Sequence, residues 1–225
     1  MKLVSLNVGL PREVVWHGIN VTTGIFKQPV EGRVALRELN LDGDRQADLT
    51  VHGGAKKAVY CYPLGHYDYW KKQLPARDLP LGIFGENFTI DFGGSTGAPE
   101  DTIHIGDRFS VGSAEVVVTQ PRLPCYKLGV RFQMDDMVKR FLASRRSGFY
   151  LAVLREGEVG VGDEMKQIGR DPSAVPISEI SRLYGEKRFS DSDMRVLDRA
   201  LQVQALPESW KEYFRERMGR AAAGV

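Results

Sequence analysis

The chain has 225 residues, of which 42% are hydrophobic and 27% charged, and its formal net charge is +2. This balance argues against a generic nucleic-acid-binding protein, which usually carries a strong basic excess. No apolar run approaches the roughly 18–20 residues that cross a bilayer, and residues 1–5 enter a strand pattern without a signal-peptide core. The two cysteines, Cys61 and Cys125, suggest no disulfide framework, so we expect a reducing, cytoplasmic setting.

Short strand-like segments recur up to residue 168. Strands are predicted at 2–8, 14–16, 19–22, 33–39, 59–62, 88–90, 103–111, 114–118, 148–154 and 159–168, with a hairpin tip at His17-Gly18. Helices are predicted at 63–74, 127–132 and 135–144. About ten short strands with few helices between them favour a mainly β fold with some α, a closed or nearly closed β-barrel over residues 1–170, rather than a parallel βαβ sheet.

The pattern changes at Asp171-Pro172, after which three helical segments follow with little strand signal. The first spans 178–185, the second opens with the capping-box-like Ser190-Asp191-Ser192-Asp193, and the third opens with Pro207. About fifty residues is marginal for an independent core. We therefore predict a small three-helix domain, 171–225, that packs on the barrel.

The turn around Cys125 carries the clearest chemical signal. Pro121 and Pro124 bracket Arg122 and stiffen the chain between a strand and a predicted helix. Cys125 then stands just before a helix N-terminus, near Arg122 and Lys127, and both the helix and the positive charges favour thiolate over thiol. A thiolate attacks carbon or ligates a soft metal, whereas packing as a small hydrophobe is the commoner role of a free cysteine. Spacing alone leaves both interpretations open.

Three further polar clusters accompany this cysteine. In 52–57 two glycines permit close backbone approach to a ligand and a lysine offers a phosphate partner, although a hairpin turn with solvated lysines is the simpler interpretation. Asn87 offers a donor and an acceptor to a heterocycle, or bonds its own turn. Arg12 and Lys27 are interpreted by default as surface charges. Cys61 lies in mid-strand and is interpreted as a core residue. Together the clusters describe a cysteine in an electropositive pocket suited to an anionic, phosphate-bearing ligand.

A set of short motifs spans nearly the whole chain. They are 9–14 (GLPREV), 23–27 (TGIFK), 43–48 (GDRQAD), 51–54 (VHGG), 85–87 (GEN), 105–108 (IGDR), 120–128 (QPRLPCYKL) and 160–163 (GVGD). Their order resembles the MOSC family, named after the C-terminal domain of molybdenum cofactor sulfurases. It is most similar to a bacterial branch that carries a trailing three-helix domain and confers resistance to N-hydroxylated base analogues. That branch usually shows Gly-Gly-Pro-Asp and a basic residue; here Ala55 and Lys56 replace the proline and aspartate, and Lys57 keeps the basic position.

The resemblance implies a β-barrel that binds the molybdenum cofactor, a pterin dithiolene with a phosphate. A thiolate suits such a soft metal–sulfur centre. Carried over by position, the resemblance implies that Cys125 is the catalytic residue and the molybdenum ligand, that Lys57, Arg122 and either Arg12 or Lys27 meet the phosphate, and that His52 and Asn87 contact the pterin or orient other contacts.

The functional hypothesis is a molybdenum-dependent reductase of N-hydroxylated compounds, such as 6-N-hydroxylaminopurine, that gives amine and water in detoxification of base analogues. The sequence carries no flavin, haem or iron–sulfur motif, so an external flavin reductase is the expected electron donor, with the three-helix tail as one docking surface for it. The other expected partners are the small-molecule substrate and, as an open alternative, a second copy of the chain; neither nucleic acid nor membrane is expected.

Two other functions remain open. The chain is alternatively a cofactor carrier or sulfur-transfer module without reductase activity. In the second alternative, Cys125 and His52 form a nucleophile–base pair for hydrolysis or acyl transfer, although no clear third group orients the histidine.

Overall fold

The computed structural model describes residues 1–47, 53–94 and 98–222. The strands are β1 (Lys2–Val8), β2 (Arg12–Trp16), β3 (Ile19–Thr23), β4 (Gln28–Pro29), β5 (Arg33–Leu36), β6 (Val59–Pro63), β7 (Phe88–Asp91), β8 (His104–Ile105), β9 (Arg108–Val111), β10 (Ala114–Pro121), β11 (Phe149–Arg155), β12 (Gly157–Gly160), β13 (Met165–Gly169) and β14 (Val175–Pro176). The helices are α1 (Gly65–Gln73), α2 (Pro99–Thr102), α3 (Tyr126–Phe132), α4 (Met137–Ser144), α5 (Ile177–Gly185), α6 (Asp191–Gln202) and α7 (Glu208–Ala222), and a 3₁₀ turn covers Ala55–Lys57.

One eight-stranded sheet forms the centre of the molecule, in the order β13-β9-β10-β11-β6-β7-β1-β4. Its neighbours are antiparallel except for β6 and β7, which run parallel. Three further pairs, β12 with β5, β14 with β8 and β2 with β3, lie outside this sheet. The architecture is therefore mixed α/β, with helices packed around a large sheet.

The predicted closed or nearly closed β-barrel is wrong. In the described part of the chain the end strands β13 and β4 do not pair with each other, so the sheet stays open. One isolated bridge between Lys2 and Glu164 and a few backbone hydrogen bonds join the start of the chain to residues 162–165, but no strand ladder forms between β1 and β13. The sequence pattern shows how many strands to expect, but it does not show which strands pair with each other. Six strands here pair outside the main sheet, and the segment predicted as one strand, 159–168, divides into parts of β12 and β13 that pair with different neighbours.

Local signals in the sequence are confirmed at several elements. The hairpin β2–β3 turns at His17 and Gly18, whose φ angles of 49° and 77° lie in the left-handed region where glycine is favoured. The capping box at Ser190 is present, because the Ser190 hydroxyl accepts from the Asp193 N–H while the Asp193 carboxylate accepts from the Ser190 N–H. The aromatic helix α1 buries Tyr67 and Trp70.

The three predicted C-terminal helices are present as α5, α6 and α7. Their apolar side chains, among them Ile180, Leu197 and Phe214, belong to the same core cluster as the sheet residues Val116 and Phe109. The division into two domains at residue 171 stays a prediction. None of the helices within the described ranges has the length and apolar composition that a bilayer crossing needs.

A second core cluster is aromatic, and it is called the aromatic cluster below. It contains Tyr60, Tyr62, Tyr67, Trp70, Phe84, Phe132 and Phe141, together with aliphatic neighbours. The Trp70 indole donates to the Tyr62 hydroxyl at 2.7 Å, so a buried donor is satisfied inside the cluster. Because Tyr60 also faces a cavity, the aromatic cluster forms one side of the candidate site.

Candidate functional site

A hollow of about 650 Å³, counting the space open to solvent, lies where several loops meet the sheet. One thiol and five cationic side chains line it: Cys125, Lys27, Arg45, Lys57, Arg122 and Lys127. The cavity is therefore suited to an anionic ligand.

Cys125 lies at the junction of β10 and α3. Its backbone is extended, at φ −116° and ψ 175°, and it serves as the N-cap residue of α3, where its carbonyl accepts from the Leu128 N–H at 2.9 Å. The residue is partly exposed, whereas Cys61 is fully buried in β6. The structure thus confirms Cys61 as a core residue and places the Cys125 residue in the cavity wall.

Arg122 supplies a fixed charge to the cavity wall. The residue is 7% exposed, and its guanidinium carbon lies 4.6 Å from the centroid of Tyr60 and 5.4 Å from that of Phe141. Its Nη1 donates to the carbonyl of Phe84. Burial by itself lowers the pKa of the guanidinium, but the adjacent Tyr60 and Tyr150 more than offset it and leave the pKa above the usual arginine value. Arg122 is consequently charged at every accessible pH.

Lys27, Asp44 and Asn87 form a buried network of hydrogen bonds at the cavity wall. Lys27 Nζ donates to Asp44 Oδ1, and Asn87 Nδ2 donates to Asp44 Oδ2 at 2.9 Å. The Gly9 N–H also donates to Asp44 Oδ1 at 2.9 Å. Asn87 accepts from the Tyr60 N–H at 3.1 Å through Oδ1, so its amide is engaged with protein atoms on both ends. The network joins segments that are distant in sequence and orients Lys27.

Lys57 is the last residue of the 3₁₀ turn Ala55–Lys57. Ala55 and Lys56 of this turn stand where the family pattern has proline and aspartate. The preceding Gly54 has φ 94°, a conformation that favours glycine. The turn is attached to β10, because the Thr119 hydroxyl donates to the Lys56 carbonyl at 2.7 Å. Burial lowers the pKa of the half-buried Lys57.

The structure brings together five of the seven residues predicted for the site. Lys27, Lys57, Asn87, Arg122 and Cys125 all line the cavity. Arg12 is not among the described residues that line the cavity. Its guanidinium carbon lies 3.7 Å from the ring centroid of Phe26. His52 lies outside the described residues. The ligand-binding roles of all seven stay predictions.

Four residues at or behind the cavity wall were missed as site residues. Asp44 and Arg45 belong to the motif at 43–48, which entered the sequence analysis through the resemblance alone. Tyr60 and Tyr150 face each other across β6 and β11, a pairing that no local pattern reveals. Burial raises the pKa of both phenols, although Arg122 opposes the shift, so both are neutral at physiological pH.

Comparison with known proteins gives the family. The MOSC domain profile matches residues 48–166. Uncharacterized protein YflK of Bacillus subtilis is 36% identical over 219 residues, which are 97% of this chain and 95% of that protein. A protein of Gibberella moniliformis named Reductase is 30% identical over 176 residues, 77% of this chain but 30% of that longer protein. The crystal structure of YiiM from Geobacillus stearothermophilus superposes with a TM-score of 0.76 at 33% identity, covering 96% of this chain and 98% of that one. From the profile match and the two relatives that match over nearly their whole length, the chain belongs to the MOSC domain family.

Proposed function

We propose that this chain is a molybdenum cofactor-dependent oxidoreductase that reduces N-hydroxylated compounds, such as 6-N-hydroxylaminopurine, to the amine and water. The observation that carries the proposal is that a partly exposed thiol and five cationic side chains line one cavity. The MOSC family and a fungal relative named Reductase support redox chemistry at this site.

The donor set of the cavity fits a phosphorylated pterin dithiolene. A cysteine sulfur is a soft ligand, suited to a metal that already carries sulfur ligands. Arg45, Lys57, Arg122 and Lys127 supply positive charge for a phosphate, and Arg122 does so from a buried position held by two aromatic rings. When bound, the cofactor supplies the two-electron chemistry that the protein side chains lack.

The chain's own residues would bind and orient the reactants. Cys125 would hold the metal, and Arg122 with Lys57 would hold the phosphate. Tyr150 would present a neutral phenol group to a bound ligand, because burial raises its pKa, whereas the Tyr60 hydroxyl already donates to the Ser147 carbonyl at 2.8 Å. Electrons would come from an external flavin reductase, and the proposed role is detoxification of base analogues.

The docking place for that reductase is proposed near the C-terminal helices. Lys56 Nζ donates to the carbonyl of Gln204 at 3.4 Å, which brings the segment between α6 and α7 next to the turn that carries Lys57. A partner bound there would lie close to the cavity.

The proposal is tested by turnover with an artificial donor. Protein is isolated from a host that makes the cofactor, reduced by a viologen dye and given 6-N-hydroxylaminopurine, and adenine is measured by chromatography. The dye makes the result independent of the natural reductase. We expect one adenine for each pair of electrons consumed.

Two variants give the control. Cys125→Ala removes the proposed ligand and is expected to form no adenine above background, whereas Cys61→Ala changes a core cysteine and is expected to keep turnover. Full activity of Cys125→Ala would refute the ligand role. Molybdenum-loaded wild type that forms no adenine would refute the reductase and favour the carrier function.

A further inference from the structure

Reduction of an N-hydroxyl group needs protons as well as electrons. In R–NH–OH + 2e⁻ + 2H⁺ → R–NH₂ + H₂O the N–O bond breaks, one O–H bond forms on the departing oxygen and one N–H bond forms on the nitrogen. Under the proposed function, on which this inference rests, an external flavin reductase supplies both electrons through the molybdenum cofactor. A hydroxyl group departs far more readily as water than as hydroxide, so a proton donor beside the oxygen accelerates the step.

Lys27 combines burial with a place on the cavity wall. The residue is 7% exposed and lines the cavity. An ammonium has three N–H donors, and Asp44 accepts one of them. A phosphate anchor would need only positive charge, which four other cationic side chains of the wall already offer.

Hydrogen bonds to both carboxylate oxygens hold the Asp44 side chain in place. The Gly9 N–H donates to Oδ1 and the Asn87 amide donates to Oδ2, both at 2.9 Å. Asn87 is in turn oriented by the Tyr60 N–H, which donates to its Oδ1 at 3.1 Å. A carboxylate fixed in this way keeps its charge and fixes the direction of the Lys27 side chain.

The buried position of Lys27 favours release of its proton. Burial lowers the pKa of the ammonium and the Arg122 charge acts in the same direction, whereas Asp44 and Glu86 act against them. The other candidates in the wall are weaker: arginine side chains do not release protons in proteins, and burial raises the pKa of Tyr60 and Tyr150. Lys57, whose pKa burial also lowers, is half exposed and ends a loop turn, and Lys127 is likewise less buried than Lys27.

We propose that Lys27 is the proton donor to the departing hydroxyl oxygen of the N-hydroxylated substrate, with Asp44 and Asn87 as its positioning residues. The Lys27 ammonium becomes an amine as the N–O bond breaks and water forms. It regains its proton from solvent, and the second proton of the reaction reaches the substrate nitrogen from solvent.

Lys27→Arg separates a proton donor from an electrostatic anchor, because a guanidinium keeps the charge but is too weak an acid to donate. The expected result is unchanged molybdenum content with kcat lower by about 100-fold or more, the range of a lost general acid. Wild-type kcat should fall at alkaline pH as Lys27 loses its proton, and this limb should be absent in the variant. Lys72→Arg, at an exposed position of α1, is the matched control and should behave as wild type.

A second readout needs no cofactor. In cofactor-free protein with ¹³C-labelled lysines, the NMR signal missing from Lys27→Arg belongs to Lys27, and its titration gives the pKa directly. We expect a pKa below those of exposed lysines, and a further decrease in Asp44→Asn, where the carboxylate that raises it is lost. An ordinary or raised pKa for Lys27 would overturn the proposal.

The kinetic outcomes separate this proposal from the proposed function. If the wild-type protein shows no turnover, both the reductase function and the proton-donor role of Lys27 are refuted. If the wild-type protein turns over and Lys27→Arg is equally active, only the proton-donor role is refuted, and Lys27 is an electrostatic anchor. Loss of molybdenum from Lys27→Arg also overturns the proton-donor role, because it makes Lys27 a cofactor contact.

Discussion

Cys61 and Cys125 place the same side chain in two contrasting regions, the sheet core and the cavity wall. Cys61 lies in the middle of β6, opposite Phe149 of β11, and burial raises the pKa of its thiol well above the ordinary value. Cys125 follows the end of β10, at a turn where the chain leaves the sheet and begins α3, and it lines the cavity. A continuous strand surrounds a cysteine with neighbours on both sides, whereas a turn leaves one side for a ligand.

The same contrast holds for the polar groups. The aromatic cluster carries few polar atoms, and these find hydrogen-bond partners in the protein: the Trp70 indole donates to the Tyr62 hydroxyl, and the Tyr60 hydroxyl donates to the Ser147 carbonyl. The cavity wall instead concentrates positive charge, and a buried carboxylate, Asp44, balances part of it. A region built for packing minimises charge, whereas a region built to bind an anion retains charge and fixes it by hydrogen bonds. The predictions below test this difference.

The largest expected effect on stability follows Asp44→Ala. The substitution leaves the buried Lys27 ammonium without its carboxylate and removes the acceptor of Gly9 and Asn87. Removing one partner of a buried ion pair costs about 3–5 kcal/mol. Urea unfolding of cofactor-free protein measures the loss.

Asp42→Ala is the matched control for this change. Asp42 is two residues away, and its ion pair with Arg37 is exposed, so its midpoint of unfolding should stay at the wild-type value. Similar midpoints for the two variants would show that Asp44 is no more important to the wall than a surface carboxylate.

A smaller effect separates the two cysteines directly. Cys61→Ser places a hydroxyl in the core, and a buried hydroxyl without a good partner costs about 1–3 kcal/mol. Cys125→Ser puts the same hydroxyl at a partly exposed position, where the cost should stay within about 0.5 kcal/mol. Equal losses in free energy of unfolding would contradict the different environments inferred for the two thiols.

The smallest effect concerns the pH dependence of stability at Glu86. The side chain is fully buried and Oε2 has no hydrogen-bond partner among the described residues. Burial raises its pKa, although Tyr67 and Gly82 oppose this by donating to Oε1. The folded state therefore holds a proton that the unfolded state has lost, and stability falls as pH rises from the unfolded pKa through the folded one.

Glu86→Gln should remove this slope, which amounts to at most about 1.4 kcal/mol per pH unit for one proton. Its amide oxygen keeps the acceptor for Tyr67 and Gly82. Glu212→Gln, at an exposed position of α7, is the control and should keep the wild-type slope. The account of Glu86 fails if its variant retains the wild-type slope at pH values above the pKa of the unfolded carboxyl, the side on which the upward shift places the slope.

Most elements were predictable because their signals are local. The hairpin at His17 and Gly18, the capping box at Ser190 and the aromatic helix α1 each depend on residues a few positions apart. The open sheet was not predictable from strand count, because pairings such as that of β1 with β7 join residues more than eighty positions apart. No periodicity in the sequence specifies such a pairing.

The candidate site divides in the same way. Cys125 and Arg122 share one proline-bounded turn, so the sequence shows them together. Lys27, Asp44 and Asn87 come from three separate segments, and only the fold makes them neighbours. The resemblance implied that Asn87 contacts the pterin or orients other contacts, and in the structure its amide is engaged with Asp44 and the Tyr60 backbone.

The most direct test of the account measures molybdenum in freshly isolated protein from a cofactor-competent host, with pterin fluorescence after oxidation as a second measure. Wild type and Cys61→Ala should carry close to stoichiometric molybdenum. Cys125→Ala should carry at least about tenfold less, since loss of even an outer partner of a metal site costs 10–100-fold in affinity. Equal molybdenum in Cys125→Ala and wild type would contradict the claim that this thiol holds the metal.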